Sequence, residues 1–251
     1  MQDIYVDDFG KGFPLVLVHG FLGSSKLWDP QINFLKNNFR IIAPDLPGFG
    51  KSNNVKSSDN INQMAETVLK KLNSMKIDKF FLLGHSMGGM IVQEMAKISS
   101  EKILKLICYS TGCIGEMPER FETIEQSRER FKKIGHEKAA YSIAETWFVN
   151  GDKSKYFSLC FESGKQANNI AIDNALVAMK NYNGLKDLKN ISANTLIIWG
   201  DKDRSYNFKQ IEILNQNIQK SELKIFKGCA HNVHLERPEE FNRTILDYLK
   251  K

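Results

Sequence analysis

Six short apolar runs, each closed by a polar or glycine-containing turn, constrain this chain more than any other feature. Leu15-Val16-Leu17-Val18 leads into His19-Gly20, Arg40-Ile41-Ile42-Ala43 into Pro44-Asp45, and Phe80-Phe81-Leu82-Leu83 into Gly84-His85-Ser86. Ile103 to Tyr109, Leu196 to Trp199 and Leu223 to Phe226 follow the same plan. A strand with one solvated face alternates apolar with polar residues, whereas a continuous apolar run is what a strand covered on both faces shows. Stretches of helical length lie between the runs: Trp28 to Asn38, Asp59 to Met75, Met87 to Ser99, Phe208 to Ile218 and Pro238 to Lys250. Pro238, followed by Glu239 and Glu240, suits the first turn of the last one. This alternation predicts an α/β fold built on a mostly parallel, doubly wound sheet with helices on both faces.

The rhythm breaks once. From about Gly115 to Leu188 there is no clear buried strand, while Arg120 to Ile134 and Glu137 to Phe148 have helical periodicity. A segment of roughly 70 residues is too long for a βα connection of a few residues. It is expected to be a helical cap, residues 115–188, inserted into a core made of residues 1–114 and 189–251. The 251 residues suit one large domain carrying such an insertion. With 42% hydrophobic and 25% charged residues, disorder and a disulfide scaffold are excluded.

Lysine and arginine outnumber aspartate and glutamate by 35 to 29, a net charge of +6. The excess is scattered, and its densest groups are pairs such as Lys70-Lys71, Lys132-Lys133 and Lys250-Lys251. A nucleic-acid binder gathers such charge on one face or stripe, so no nucleic-acid partner is expected. Cys108, Cys113, Cys160 and Cys229 form no CxxC pair and lack His-rich ligand spacing, so no metal site is expected. The acidic stretch Met1 to Asp8 has no apolar signal core, and no apolar run approaches the roughly 20 residues that span a bilayer. A cytoplasmic protein, monomeric or a small homo-oligomer, is the expectation.

Gly84-His85-Ser86-Met87-Gly88-Gly89 matches G-x-S-x-G directly after an apolar strand and directly before a helix. That context makes a common pentapeptide informative. The turn places the Ser86 hydroxyl at the head of a helix, where backbone N–H groups favour developing negative charge. A phosphate-binding turn would instead want G-x-G-x-x-G or a lysine after the last glycine, and neither is present. A serine hydroxyl needs a base, and the base needs an orienting carboxylate. Two further strands end in suitable groups: Gly200-Asp201-Lys202-Asp203 and Gly228-Cys229-Ala230-His231, with His234 close behind. Both follow the C-terminal ends of parallel strands, where a doubly wound sheet places its site. Asp45 also follows a strand, but its Pro47-Gly48-Phe49-Gly50 turn reads as loop-building.

Over nearly its whole length the chain resembles an α/β-hydrolase-fold serine hydrolase. The landmarks are His19-Gly20-Phe21, Asp45-Leu46-Pro47-Gly48-Phe49-Gly50-Lys51-Ser52, the Ser86 turn, Gly200-Asp201-Lys202-Asp203 and His231 through Pro238. The resemblance implies a helical cap inserted after the sixth strand. Its G-x-x-D pattern assigns the acid to Asp203 rather than Asp201, and the base to His231 rather than His234. It places the two oxyanion donors on the backbone N–H groups of Phe21 and Met87. His85 then packs the turn, while Glu236 and Arg237 cap and anchor the last helix. Arg204 departs from the family, in which many relatives carry proline.

A serine at this position excludes the similar branches that need an aspartate nucleophile. What the resemblance implies is acyl transfer without a cofactor, as in small carboxylesterases, enol-lactonases and cofactor-free haloperoxidases. Meta-cleavage C–C hydrolases and slow-turnover ligand receptors on the same fold are the alternatives. Trp28, Trp147, Phe148 and Phe157 are the expected lining of the substrate pocket. The arginines available for an anionic substrate are Arg120, Arg128, Arg130 and Arg204, and the first three fall on a polar helix face. The expected partner is therefore a small, largely apolar ester or lactone.

Overall fold

The apolar runs become neighbouring strands of one sheet in the computed structural model, which describes residues 3–116 and 122–251. The strands are β1 (Val6–Phe9), β2 (Pro14–Val18), β3 (Arg40–Pro44), β4 (Phe80–His85), β5 (Ile103–Tyr109), β6 (Asn194–Gly200) and β7 (Ser221–Phe226). Their order is β1-β3-β2-β4-β5-β6-β7. All neighbours run parallel except β1, which pairs antiparallel with β3. The helices are α1 (Asp29–Leu35), α2 (Ile61–Ser74), α3 (Met87–Ile98), α4 (Ile124–Ile134), α5 (His136–Thr146), α6 (Phe157–Lys165), α7 (Asn169–Asn181), α8 (Phe208–Asn217), α9 (Val233–Glu236) and α10 (Pro238–Lys250).

Successive side chains of a strand face opposite ways, so one run fills two cores. Leu15 and Leu17 join Ile41, Leu83 and Ile198 under α1 and α10. Val16 and Val18 join Leu82, Leu106 and Ile197 under α2, α3 and α8. Each fully buried Leu, Ile or Phe contributes about 1.5–3 kcal/mol to holding the layers together. The second core continues into α5 to α7 through Ala144, Trp147, Cys160 and Leu176. The stretch from α4 to α7 is thus packed on the sheet layer.

Two features differ from the sequence reading. β1 carries Asp7 and Asp8 and has no apolar run, yet it is a strand. Polar partners substitute for apolar burial there: Asp7 accepts from Tyr5 Oη (2.5 Å) and Ser25 Oγ (2.7 Å), and Arg40 pairs with Asp8 at 2.7 Å. Because this single strand precedes β2, the α4–α7 segment follows the fifth strand in chain order rather than the sixth. Among the described residues no helix is long and apolar enough to cross a membrane.

Candidate active site

Ser86 stands between β4 and α3 with φ +56° and ψ −120°. A non-glycine residue there is strained, typically by about 1–3 kcal/mol, and needs support. The Ser86 N–H donates to Tyr109 O (2.9 Å), while its carbonyl accepts from Thr111 Oγ1 (2.7 Å) and Gly89 N–H (2.8 Å). A Cβ on Gly88 would come within 2.3 Å of Val18 O, so only glycine lets α3 pack this close to the end of β2. A Cβ on Gly20 would lie 2.9 Å from Ser86 Cβ, so the loop after β2 runs directly beside the serine. That loop carries Phe21. Met87 opens α3, where N–H groups lack intrahelical acceptors. Neither the Phe21 nor the Met87 N–H meets a protein acceptor among the described residues.

His19 fixes the shape of the Phe21 loop. Its Nδ1–H donates to Gly20 O (2.8 Å) and its Nε2 accepts from Leu46 N–H (2.9 Å), which is the neutral tautomer. Burial keeps it neutral by pushing its pKa below the ordinary histidine value, against the pull of Asp45. Asp45 accepts from Ser25 N–H (2.6 Å) and Lys51 N–H (2.8 Å), so it builds this loop.

The loops after β6 and β7 meet at His231. Its Nδ1 lies 2.9 Å from Asp203 Oδ2, and both side chains are buried. Asp203 Oδ1 accepts from Ser205 N–H (2.7 Å) and Tyr206 N–H (3.2 Å), and the Tyr206 ring stacks on His231 at 5.9 Å. Asp201 instead accepts from Gly228 N–H at 2.7 Å and ties the two loops together. His234 faces away from Asp203. Its Nδ1 lies 3.0 Å from Tyr109 Oη, its ring packs 4.8 Å from Trp28, and burial lowers its pKa to about 3. Tyr109 escaped the sequence reading because it ends an apolar strand, yet its hydroxyl also donates to the His231 carbonyl at 2.9 Å. His85 stacks on Tyr109 at 4.5 Å, and burial holds it well below its ordinary pKa.

Ser86 and His231 line one narrow cavity of about 40 Å³. Phe21, Ile143, Trp147, Leu176 and Met179 form its apolar wall. Of the four expected pocket aromatics, only Trp147 lines it. Trp28 is sealed beneath His85 and His234. Phe157 packs inside the helical segment against Tyr141 and Phe161. Phe148 is buried beside a separate surface groove. Arg130 corrects the reading of α4: it lines the Ser86 cavity, paired with Glu122, which also accepts from Ser127 Oγ. Arg128 pairs instead with Asp173 of α7 and Glu125. Arg120 lies outside the described residues. Among the described residues no cluster of three or more histidine, cysteine or carboxylate side chains is arranged for a metal ion.

The profile of the alpha/beta hydrolase fold family matches residues 14–238. The chain belongs to that family. A pimeloyl-[acyl-carrier protein] methyl ester esterase of Legionella pneumophila is 26% identical, with 99% of this chain and 100% of the relative covered. A 2-hydroxy-6-oxononadienedioate/2-hydroxy-6-oxononatrienedioate hydrolase of Escherichia coli is 28% identical over 99% of this chain and 91% of its own length. The solved structure of an esterase from Exiguobacterium antarcticum superposes with a TM-score of 0.92 at 25% identity, covering 99% and 96% of the two chains. The enzyme is a hydrolase of this fold.

Proposed function

We propose that this hydrolase cleaves a small carboxylic ester or lactone through Ser86, His231 and Asp203. The observation that carries the reading is convergence. A strained serine turn and a histidine whose Nδ1 is held by a buried carboxylate open into the same cavity. With Nδ1–H given to Asp203, Nε2 is free to take the Ser86 proton as Oγ attacks the ester carbonyl. The Phe21 and Met87 N–H groups receive the oxyanion, and removing one such donor costs about 10²–10³ in rate. The imidazolium returns its proton to the departing alkoxide, leaving an acyl-Ser86 ester. A water, deprotonated by His231, then attacks that ester and releases the acid. The α4–α7 segment, within residues 115–188, serves as the cap that supplies the acyl wall. All four cysteines are unbridged, which fits a reducing cytoplasm.

The test is hydrolysis of p-nitrophenyl butyrate together with fluorophosphonate labelling of Ser86. Ser86→Ala should lose label and about 10⁶-fold in kcat. Full activity in that variant overturns the proposal. Arg130, Glu122 and Ser127 favour a second reading, C–C hydrolysis of a polar ring-fission dienoate, because they make one end of the cavity polar. A kcat/KM for such a dienoate far above that for the butyrate would select it.

A further inference from the structure

Glu236 ends α9 just before α10, the place of an ordinary helix-anchoring carboxylate. Its oxygens point elsewhere. Oε2 accepts the N–H of Ala230, the residue before His231, at 2.6 Å. Oε1 accepts the N–H of Val149, in the turn after α5, at 2.7 Å. Two more bonds run beside it. The N–H of Asn232, the residue after His231, donates to Trp147 O at 3.0 Å, and Asn232 Nδ2 donates to Cys160 Sγ on α6 at 3.3 Å. The Trp147 ring lies 6.1 Å from the His231 ring and lines the Ser86 cavity. The chain segments 147–149 and 230–232 are therefore stitched on both sides of His231. The half-buried carboxylate supplies the charge-assisted bonds, which are about twice as strong as neutral ones.

We propose that Glu236 is a positioning residue that clasps the α5–α6 connection to the His231 loop, holding the base and the Trp147 wall in one register. The proposal rests on reading Ser86 and His231 as the reacting pair, and Glu236 itself touches no substrate. The geometry demands a carboxylate. Both oxygens face N–H donors, so a glutamine amide must set its NH₂ against one of them, losing that bond and opposing donor to donor. Releasing one side lets Ala230 and Val149 drift apart, and His231 and Trp147 move with them.

The experiment compares wild type, Glu236→Gln and the exposed control Glu239→Gln. Three measurements are made: kcat and KM on p-nitrophenyl butyrate, the rate of Ser86 labelling by a fluorophosphonate, and amide hydrogen exchange across 147–149 and 230–232. Glu236→Gln should slow turnover and labelling together by about tenfold to a hundredfold, the penalty of misplacing a reacting group by about 1 Å. KM should move by less than about threefold, and exchange should quicken in both segments at once. The control should match wild type. A folded Glu236→Gln with unchanged kcat, or with faster exchange in only one segment, overturns the clasp. Should that variant fail to fold, Glu236→Asp keeps the charge but loses the reach, and gives the same comparison. Wild type that resists labelling at Ser86 overturns the reading of the site instead.

Discussion

Asp203 Oδ1 already accepts two backbone N–H groups, so only Oδ2 is left for His231. That asymmetry makes Asp203→Asn a sharp probe. The asparagine carbonyl must stay with Ser205 and Tyr206, which turns its NH₂ toward His231. Nδ1 then becomes an acceptor, the proton moves to Nε2, and the imidazole can no longer take the Ser86 proton. Loss of about 10⁴-fold in kcat with little change in melting temperature is expected. Asp201→Asn keeps a carbonyl for the Gly228 N–H and should cost less than about threefold, since a surface turn bond is worth only about 1 kcal/mol. Steady-state kinetics on both variants, with thermal melts, would reverse the choice of acid if Asp201→Asn proved the severe one. Sequence pattern alone left these two aspartates open and the family resemblance chose between them. The physical distinction is which oxygens the neighbouring backbone occupies, and no spacing rule contains that.

Among the elements, those with a strong period were legible and those held by polar contacts were not. Pro238–Lys250 has the expected bounds, and α2, α3 and α8 fall within two residues of theirs, because their apolar stripes meet a continuous strand core. β1 was invisible because Asp7 and Asp8 are satisfied by residues distant in sequence. Within the helical segment, Arg130 reads as solvated on a helical wheel, but α4 turns it into the cavity beside Glu122. The tilt of a helix against its neighbours is set by packing, which composition does not encode. The Ser86 turn was legible for the opposite reason: its glycines answer a steric demand that is purely local. Gly88→Ala tests that demand. The new methyl would meet Val18 O at 2.3 Å and His19 O at 2.5 Å, both main-chain atoms that cannot rotate aside. It should destabilise the fold by about 1–3 kcal/mol or more. Ser86 labelling should fall further than the melting temperature alone accounts for. A variant with wild-type labelling would show that α3 can slide along β2 without disturbing the serine.

Across the whole molecule, four of the five histidines are buried: His19, His85, His231 and His234. Three of them have pKa values pushed down chiefly by burial, His234 to about 3, and the mutual repulsion of His85, His231 and His234 adds to the effect at His85. Each is ordinarily near 6.5 once the chain unfolds. Below that value the unfolded chain binds protons that the folded one refuses, so stability is full above about pH 6.5 and falls as the pH drops toward the folded pKa values. A histidine that stays neutral in the fold across this window contributes a limiting slope of about 1.4 kcal/mol per pH unit. The window from about pH 6.5 to about 5 belongs to these histidines, because ordinary carboxylates titrate below it. Urea midpoints measured at about pH 7.5, 6.5 and 5.5 should hold steady over the first interval and drop steeply over the second. His234→Gln, which cannot take up a proton, should flatten the drop by up to about 1.4 kcal/mol per pH unit if it folds. A midpoint independent of pH down to about 5 would mean that the unfolded chain gains no protons there, and the burial of these imidazoles would then carry no cost in acid.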